Sequence, residues 1–163
     1  MILKIVIEGL ILSVMLVLFC AFGIRNGAVN MVYLYHQDVQ DRCVRNGSIT
    51  AGKIRINQAL FKGIAIPFYF IFVLVSVYAV NKTKGFWPGF LQMFAILSIV
   101  NLVDRLLIDE YWVGHTNAWE IPGTEDLKPY IPRSTVIKKW FGTLVVFPLV
   151  FALIAWVMTY FGH

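Results

Sequence analysis

Four long, continuous apolar runs constrain this chain more than any other feature of its sequence. They cover residues 5–23, 59–80, 86–108 and 140–161, which we call spans one to four. Each run has about 20 residues, the number that a helix needs to cross a hydrocarbon core of about 30 Å. The runs do not alternate between apolar and polar residues as barrel strands do, so their backbone groups must be satisfied within helices. We therefore predict an all-α polytopic membrane protein with four transmembrane helices.

The composition and the remaining segments define the domain organisation. Of the 163 residues, 59% are hydrophobic and 14% are charged, whereas soluble domains have about 45–50% and about 25%. We predict a single membrane domain over residues 1–163, with long connections at 24–58 and 109–139. The first connection mixes apolar and charged residues at a helical period, which predicts short amphipathic helices. Gly47 indicates the end of one helix and Ser48 the N-cap of the next.

The 14 Lys and Arg residues are divided unevenly between the two ends of the predicted bundle. Eleven of them lie in or next to the two long connections, and the other three are Lys4, Lys82 and Lys84. The positive-inside rule then places both connections in the cytoplasm and both termini outside. This predicts a multi-pass protein of the bacterial inner membrane. The partners that we expect are the lipid bilayer and either a protein partner or a second copy of the chain, with no nucleic acid.

Span three differs from the other spans because polar residues fill its last turns. At 3.6 residues per turn, four of these side chains fall within about 80° of one another on an α-helix, namely Ser98, Asn101, Arg105 and Asp109. Asp104 lies at the edge of that face. A charge at membrane depth costs several kcal/mol, so such side chains face a bundle interior or a wet cavity. Glu8 in span one is expected to pair with Lys4, one turn earlier.

Three interpretations of this polar face remain open. In the structural interpretation, Asp104 or Asp109 pairs with Arg105, which can also extend to the interface, and the amide and hydroxyl bond across helices. In the second, the face binds a small molecule, lipid or ion, and the candidate ligand-binding residues are Asn101, Arg105, Ser98, His115 and Glu120. In the third, the face is catalytic, and the candidate acids are Asp104, Asp109 and Asp126. The spacing of the Asp, Glu and His residues matches no metal motif, so we predict no metal ion and no cofactor.

A short motif within span three is similar to one in a known enzyme family. Asn101-Leu102-Val103-Asp104-Arg105 resembles the Asn-x-x-Asp-Arg signature of lipoprotein signal peptidases, which also have four spans. The resemblance implies an aspartyl pair of Asp104 with a second acid about twenty residues later, for which Asp126 is the nearest candidate. The resemblance is local, because the family's Asp-Gln-x-x-Lys motif in span one is missing.

A second resemblance covers the stretch that follows. Residues 104–125, which end in Ile-Pro-Gly-Thr-Glu, are similar to small four-span bacterial membrane proteins of unassigned activity. That resemblance implies a fold and not a function. The leading hypothesis is therefore a binding protein with its site at the cytoplasmic end of span three. The alternatives are a small membrane-embedded enzyme that uses Asp104 with Asp109 or Asp126, and an accessory subunit that docks a protein partner through its basic first connection.

Overall fold

Four helices that are long and apolar enough to span a membrane form the body of the protein. In the computed structural model, which describes residues 2–162, they cover Ile2–Ile24, Ala51–Val80, Phe86–Val113 and Arg133–Tyr160. The described part of the chain contains no strand. The predicted all-α polytopic class with four transmembrane helices is confirmed.

All four helices extend beyond the apolar runs that predicted them, and three of them do so by five residues or more. Span two begins at Ala51 rather than at residue 59, and span four begins at Arg133 rather than at 140. Span three continues to Val113, five residues past its predicted end. Hydropathy marks where a helix leaves the hydrocarbon, but the helix itself continues until a cap or a proline ends it. The N-cap of span two is Thr50, whose Oγ1 accepts from the Lys53 backbone N–H at 3.3 Å, and not Ser48 as predicted.

Stretches of π-helix interrupt the spans, and prolines account for two of them. One covers Phe61–Ala65, just before Pro67, and another covers Gly142–Val146, just before Pro148. A proline inside a helix removes one backbone hydrogen bond and crowds the carbonyl four residues earlier. A local change to π-helical bonding re-satisfies the freed groups.

Span three lies at the centre of the bundle, because it packs against both span one and span four and is the most buried of the four. Its contact with span one is close at Gly9, where an added Cβ would lie 2.8 Å from Ile99 Cδ1. Small residues allow such close approach between membrane helices. One hydrophobic cluster fills this interior and includes Met93, Ile96 and Phe151.

The two long connections fold together into a cap, which we define as residues 25–50 and 114–132. The first part contains a short 3₁₀ helix, Ala28–Leu34, followed by the helix Gln37–Arg45. That helix ends at Arg45 in a Schellman motif, and Gly47, the predicted stop signal, is its C′ residue. There the Ser48 N–H donates to the Cys43 carbonyl at 3.0 Å, and Gly47 adopts a φ of 72° that suits glycine.

A second hydrophobic cluster joins the two halves of the cap. The Tyr35 hydroxyl donates to the Trp119 carbonyl at 2.7 Å, and its ring stacks on Tyr130 at 4.8 Å. Burial raises the pKa of Tyr35, and the neighbouring Tyr130 adds to this effect. On the surface, Arg42 donates two bonds to Asp126, both at 3.1 Å. The first connection is therefore a packed cap, and Arg42 is paired within it.

The expected pairing of Glu8 with Lys4 is wrong. The Glu8 carboxylate instead accepts from Asn81 Nδ2 at 3.0 and 3.1 Å, and the structure shows no ion pair for it within residues 2–162. The reason is the chain reversal after span two, which brings the Asn81 amide against span one.

Candidate functional site

The last part of span three is a π-helix, and this determines which side chains meet. The π-helical segment covers Asp104–Val113, and no proline lies within it. In a π-helix the hydrogen bonds join residues five apart, so Asp104 and Asp109 lie one turn apart on the same side. On an α-helix the same two residues would be about 140° apart. π-helical stretches are rare and often occur at functional sites.

A lysine from span four lies between the two aspartates. Lys139 Nζ donates to Asp104 Oδ2 at 3.4 Å and also to Asp109 Oδ2. Both aspartate side chains are shielded from solvent, since 27% of the Asp104 side chain and 11% of the Asp109 side chain are exposed. We call these three residues the charged cluster. It joins span three to span four at the end of the bundle that leads into the cap.

The expected pairing of Arg105 with an aspartate is therefore wrong. Arg105 points to the backbone of span four, where its Nη2 donates to the Lys139 carbonyl and to Thr143 Oγ1, both at 2.6 Å. Its guanidinium also lies over the Trp140 ring, 4.5 Å from the centroid. The residue is only 6% exposed, so it does not extend to the interface as the sequence suggested. Its Nε donor has no hydrogen-bond partner within the described part of the chain.

The two uncharged residues predicted on this face do not bond across helices. Asn101 Nδ2 donates to the Leu97 carbonyl of its own helix at 2.7 Å. Ser98 is half-buried, and its hydroxyl makes no hydrogen bond to any residue between 2 and 162. The Asn101 side chain therefore bonds within its own helix, and among the described residues neither side chain bonds to the charged cluster.

The candidates from the third connection are divided between two places. His115 Nδ1 lies 2.7 Å from the Glu110 carbonyl, at the C-terminal end of span three. Glu120 pairs with Lys128 at 3.1 Å in the cap. Asp126 pairs with Arg42 in the cap, whereas Asp104 pairs with Lys139, so within residues 2–162 the two acids of the signal peptidase resemblance have different partners.

Two cavities adjoin the charged cluster. The large cavity, of 650 Å³, lies between spans three and four and the segment 128–131. The small cavity, of 240 Å³, lies between spans one, three and four and the cap. Asp109 lines both cavities, whereas Asp104 and Lys139 line the small one. The cluster therefore separates two spaces that share one carboxylate.

The small cavity has a buried donor on its wall. Trp119 lines it and is fully buried, and the indole Nε1–H has no hydrogen-bond partner within residues 2–162. A buried donor left unpaired costs about 1–3 kcal/mol. The unpaired donor is a cost of packing the Trp119 ring into the cap.

Sequence reasoning missed the three residues of span four that complete the site, namely Lys139, Trp140 and Thr143. In the sequence, Lys139 falls among the basic residues of the third connection, because the apolar run begins at residue 140. The available signal was a lysine directly beside an apolar run, in a chain whose neighbouring span carries two aspartates.

In the described part of the chain, no group of three His, Cys, Asp or Glu side chains is arranged to hold a metal ion.

Comparison with protein-family models, with curated proteins and with solved structures gave no match.

Proposed function

We propose that this protein binds an amphiphilic molecule, such as a lipid, in the large cavity beside the charged cluster. The observation that carries the proposal is the cavity itself. Its 650 Å³ falls within the range of about 300–1,000 Å³ that is typical of small-molecule sites. It lies next to the part of span three whose π-helical geometry has no proline to explain it.

The walls of the large cavity have the mixed chemistry that an amphiphile requires. Five apolar side chains cover much of the wall, namely Leu106, Val113, Ile131, Val136 and Trp140. The polar part is formed by charged groups of both signs together with a histidine, namely Arg105, Lys128, Asp109, Glu110 and His115. A ligand with an apolar chain and a polar head matches this division, because each part then meets surface of its own kind.

The polar groups on the wall are held in place before a ligand arrives. Lys139 fixes Asp109, and the backbone of span four fixes the Arg105 guanidinium. The ring of Trp140 lies under the same guanidinium, 4.5 Å from its centre to the ring centroid. Groups that are already positioned lose little conformational entropy on binding, which favours affinity.

Photo-crosslinking with a phospholipid that carries a diazirine on its acyl chain tests the proposal. We expect labelled peptides from residues 106–113 and 128–140, and we expect excess unlabelled phospholipid to compete. A Val136→Trp variant fills the cavity and should lose most of this labelling. The matched control is Ile137→Trp, because Ile137 is the neighbouring residue, is exposed and does not line the cavity.

Two results would contradict binding in the large cavity. One is labelling that is confined to exposed positions of span four, such as Leu149 and Leu153. The other is equal labelling of the cavity peptides in the Val136→Trp and Ile137→Trp variants. Thermal stability in detergent, measured for both variants, separates a loss of binding from a loss of folding.

A second candidate is an acid–base enzyme that acts on the bound amphiphile. Asp104 and Asp109 favour it, because they meet at one ammonium and Asp109 reaches the large cavity. In this case, wild-type protein incubated with a defined ester phospholipid should form products that mass spectrometry detects. The Asp104→Asn and Asp109→Asn variants should abolish these products while keeping the crosslinking. If the wild-type protein forms no product, hydrolysis of that substrate class is excluded.

For the orientation, the proposal is an inner-membrane protein with the cap in the cytoplasm and both termini outside. The support is the distribution of charge, because only Lys4, Lys82 and Lys84 lie at the other end. A reporter that is active only in the cytoplasm, fused to the C-terminus, should be inactive, and one active only outside should be active. The opposite pattern would overturn the orientation.

A further inference from the structure

A third cavity lies at the end of the bundle opposite the cap. Its volume is 420 Å³. It is bounded by the start of span one, the turn after span two and the first turns of span three, and six residues line it: Lys4, Asn81, Thr83, Lys84, Pro88 and Gln92. We call it the far pocket. None of its residues belongs to the site described above.

The charged side chains on the wall of the far pocket are both lysines, Lys4 and Lys84. Glu8 lies close by but does not line the pocket. Its carboxylate accepts two bonds from the Asn81 amide, at 3.0 and 3.1 Å. The wall therefore carries two positive charges and no negative one.

Two buried side chains add hydrogen-bond donors to the same wall. Gln92 is 4% exposed, and its oxygen accepts from Asn81 Nδ2 at 3.2 Å. This contact leaves the Gln92 NH₂ group as the end that has no partner within residues 2–162. Thr83 is 7% exposed, and among the same residues its hydroxyl makes no hydrogen bond. These donors favour a ligand that supplies acceptor atoms, and Asn81 Oδ1 on the same wall is a buried acceptor without a partner in those residues, which a hydroxyl of the ligand would satisfy.

The helix backbone next to the far pocket also favours a negatively charged ligand. The 28-residue helix Phe86–Val113 begins at the far pocket, and Pro88 in its first turn lines the wall. Pro88 has no N–H to donate, but the N-terminus of a long helix carries partial positive charge, which favours anions. Lysines, buried donors and the helix N-terminus thus converge on one space.

We propose that the far pocket binds a phosphate group, with Lys4 and Lys84 as the charged contacts and Thr83 and Gln92 as the buried donors. The pocket lies where three spans end, at the depth of lipid headgroups. Two sources supply this chemistry, the headgroup of an anionic phospholipid and free inorganic phosphate. The proposal is independent of the function assigned to the large cavity.

Thermal unfolding of the full-length protein in detergent tests the proposal, with two probes titrated separately. One probe is dioctanoyl phosphatidylglycerol and the other is inorganic phosphate. We expect at least one of them to raise the melting temperature in a saturable manner, and the probe that does so identifies the source. The double variant Lys4→Gln/Lys84→Gln should weaken the apparent affinity by about 25-fold, since each lysine beside an anionic group contributes about fivefold.

A matched control distinguishes this pocket from general attraction to charge. Lys82 is exposed, lies two residues from Lys84 and does not line the pocket. It has a φ of 51°, so Lys82→Asn removes the charge with a residue that tolerates this conformation. Lys82→Asn should keep the wild-type affinity, whereas Gln92→Leu should weaken it without changing the net charge. The proposal is overturned if neither probe stabilises the wild type, or if Lys82→Asn weakens binding as much as the double variant.

Discussion

Replacing Lys139 with methionine tests whether the charged cluster holds spans three and four together. The change keeps most of the side-chain volume and removes the ammonium that Asp104 and Asp109 share. Breaking a fully buried ion pair costs about 3–5 kcal/mol, whereas an exposed pair contributes about 0.2–1 kcal/mol. The aspartates are between these limits, so we expect a loss of about 2 kcal/mol. For a chain of this size, such a loss lowers the melting temperature by about 4–8 °C.

Thermal unfolding in detergent, followed by intrinsic fluorescence, measures this loss. Lys138→Met is the matched control, because Lys138 is the exposed neighbour and lies outside the cluster. It should change the melting temperature by about 1–2 °C at most. The triple variant Lys139→Met/Asp104→Asn/Asp109→Asn should regain at least half of the loss, because no unpaired carboxylate remains buried. Equal melting temperatures for Lys139→Met and Lys138→Met, or a triple variant no more stable than the single one, would refute the reasoning.

Three further predictions concern other parts of the fold. Gly9→Ala should lower the melting temperature, because the new Cβ would lie 2.8 Å from Ile99, whereas Gly52→Ala, which meets no atom within 4 Å, should not lower it. Arg105→Lys keeps the charge but loses the bonds that Nη2 makes to span four, so unfolding in detergent should show a loss of about 1–2 kcal/mol. Burial raises the pKa of Tyr33 to about 12, with a smaller effect of the Cys20 thiol, so its contribution to stability is complete below pH about 10 and is lost as the pH rises toward 12. The Tyr33→Phe variant should therefore lose less stability than the wild type between pH 9 and pH 11, and an equal loss would contradict this.

The sequence was sufficient to predict the four spans, because hydropathy over about 20 residues reflects a strong physical constraint. It was also sufficient for the end of the cap helix, because Gly47 supplies the one backbone conformation that a Schellman motif requires. It did not predict that Trp119 would be buried in the cap. A tryptophan beside a span is typical of the headgroup region, and only the packing of the two connections places this one in a hydrophobic core.

The partners within the site were less predictable than its location. The polar end of span three was identified, but an α-helical wheel groups Arg105 with Asp109, whereas the π-helix groups Asp104 with Asp109. The partner that Asp104 and Asp109 share is Lys139, which lies 30 residues after Asp109 in the chain. A periodicity argument within one helix cannot contain that information. The same reason explains Glu8, whose partner Asn81 comes from the turn after span two.

The charged cluster lies where span three passes from one hydrophobic core to another. Val100 belongs to the core of the bundle and Ile108 to the core of the cap. Asp104 and Arg105 lie between them, where neither core covers the helix completely. Polar side chains are tolerated at such a junction because span four supplies their partners, and cavities form there because two separately packed cores do not fill the space between them. Filling the large cavity should therefore impair binding without disturbing the core of the bundle, which is the outcome expected for Val136→Trp.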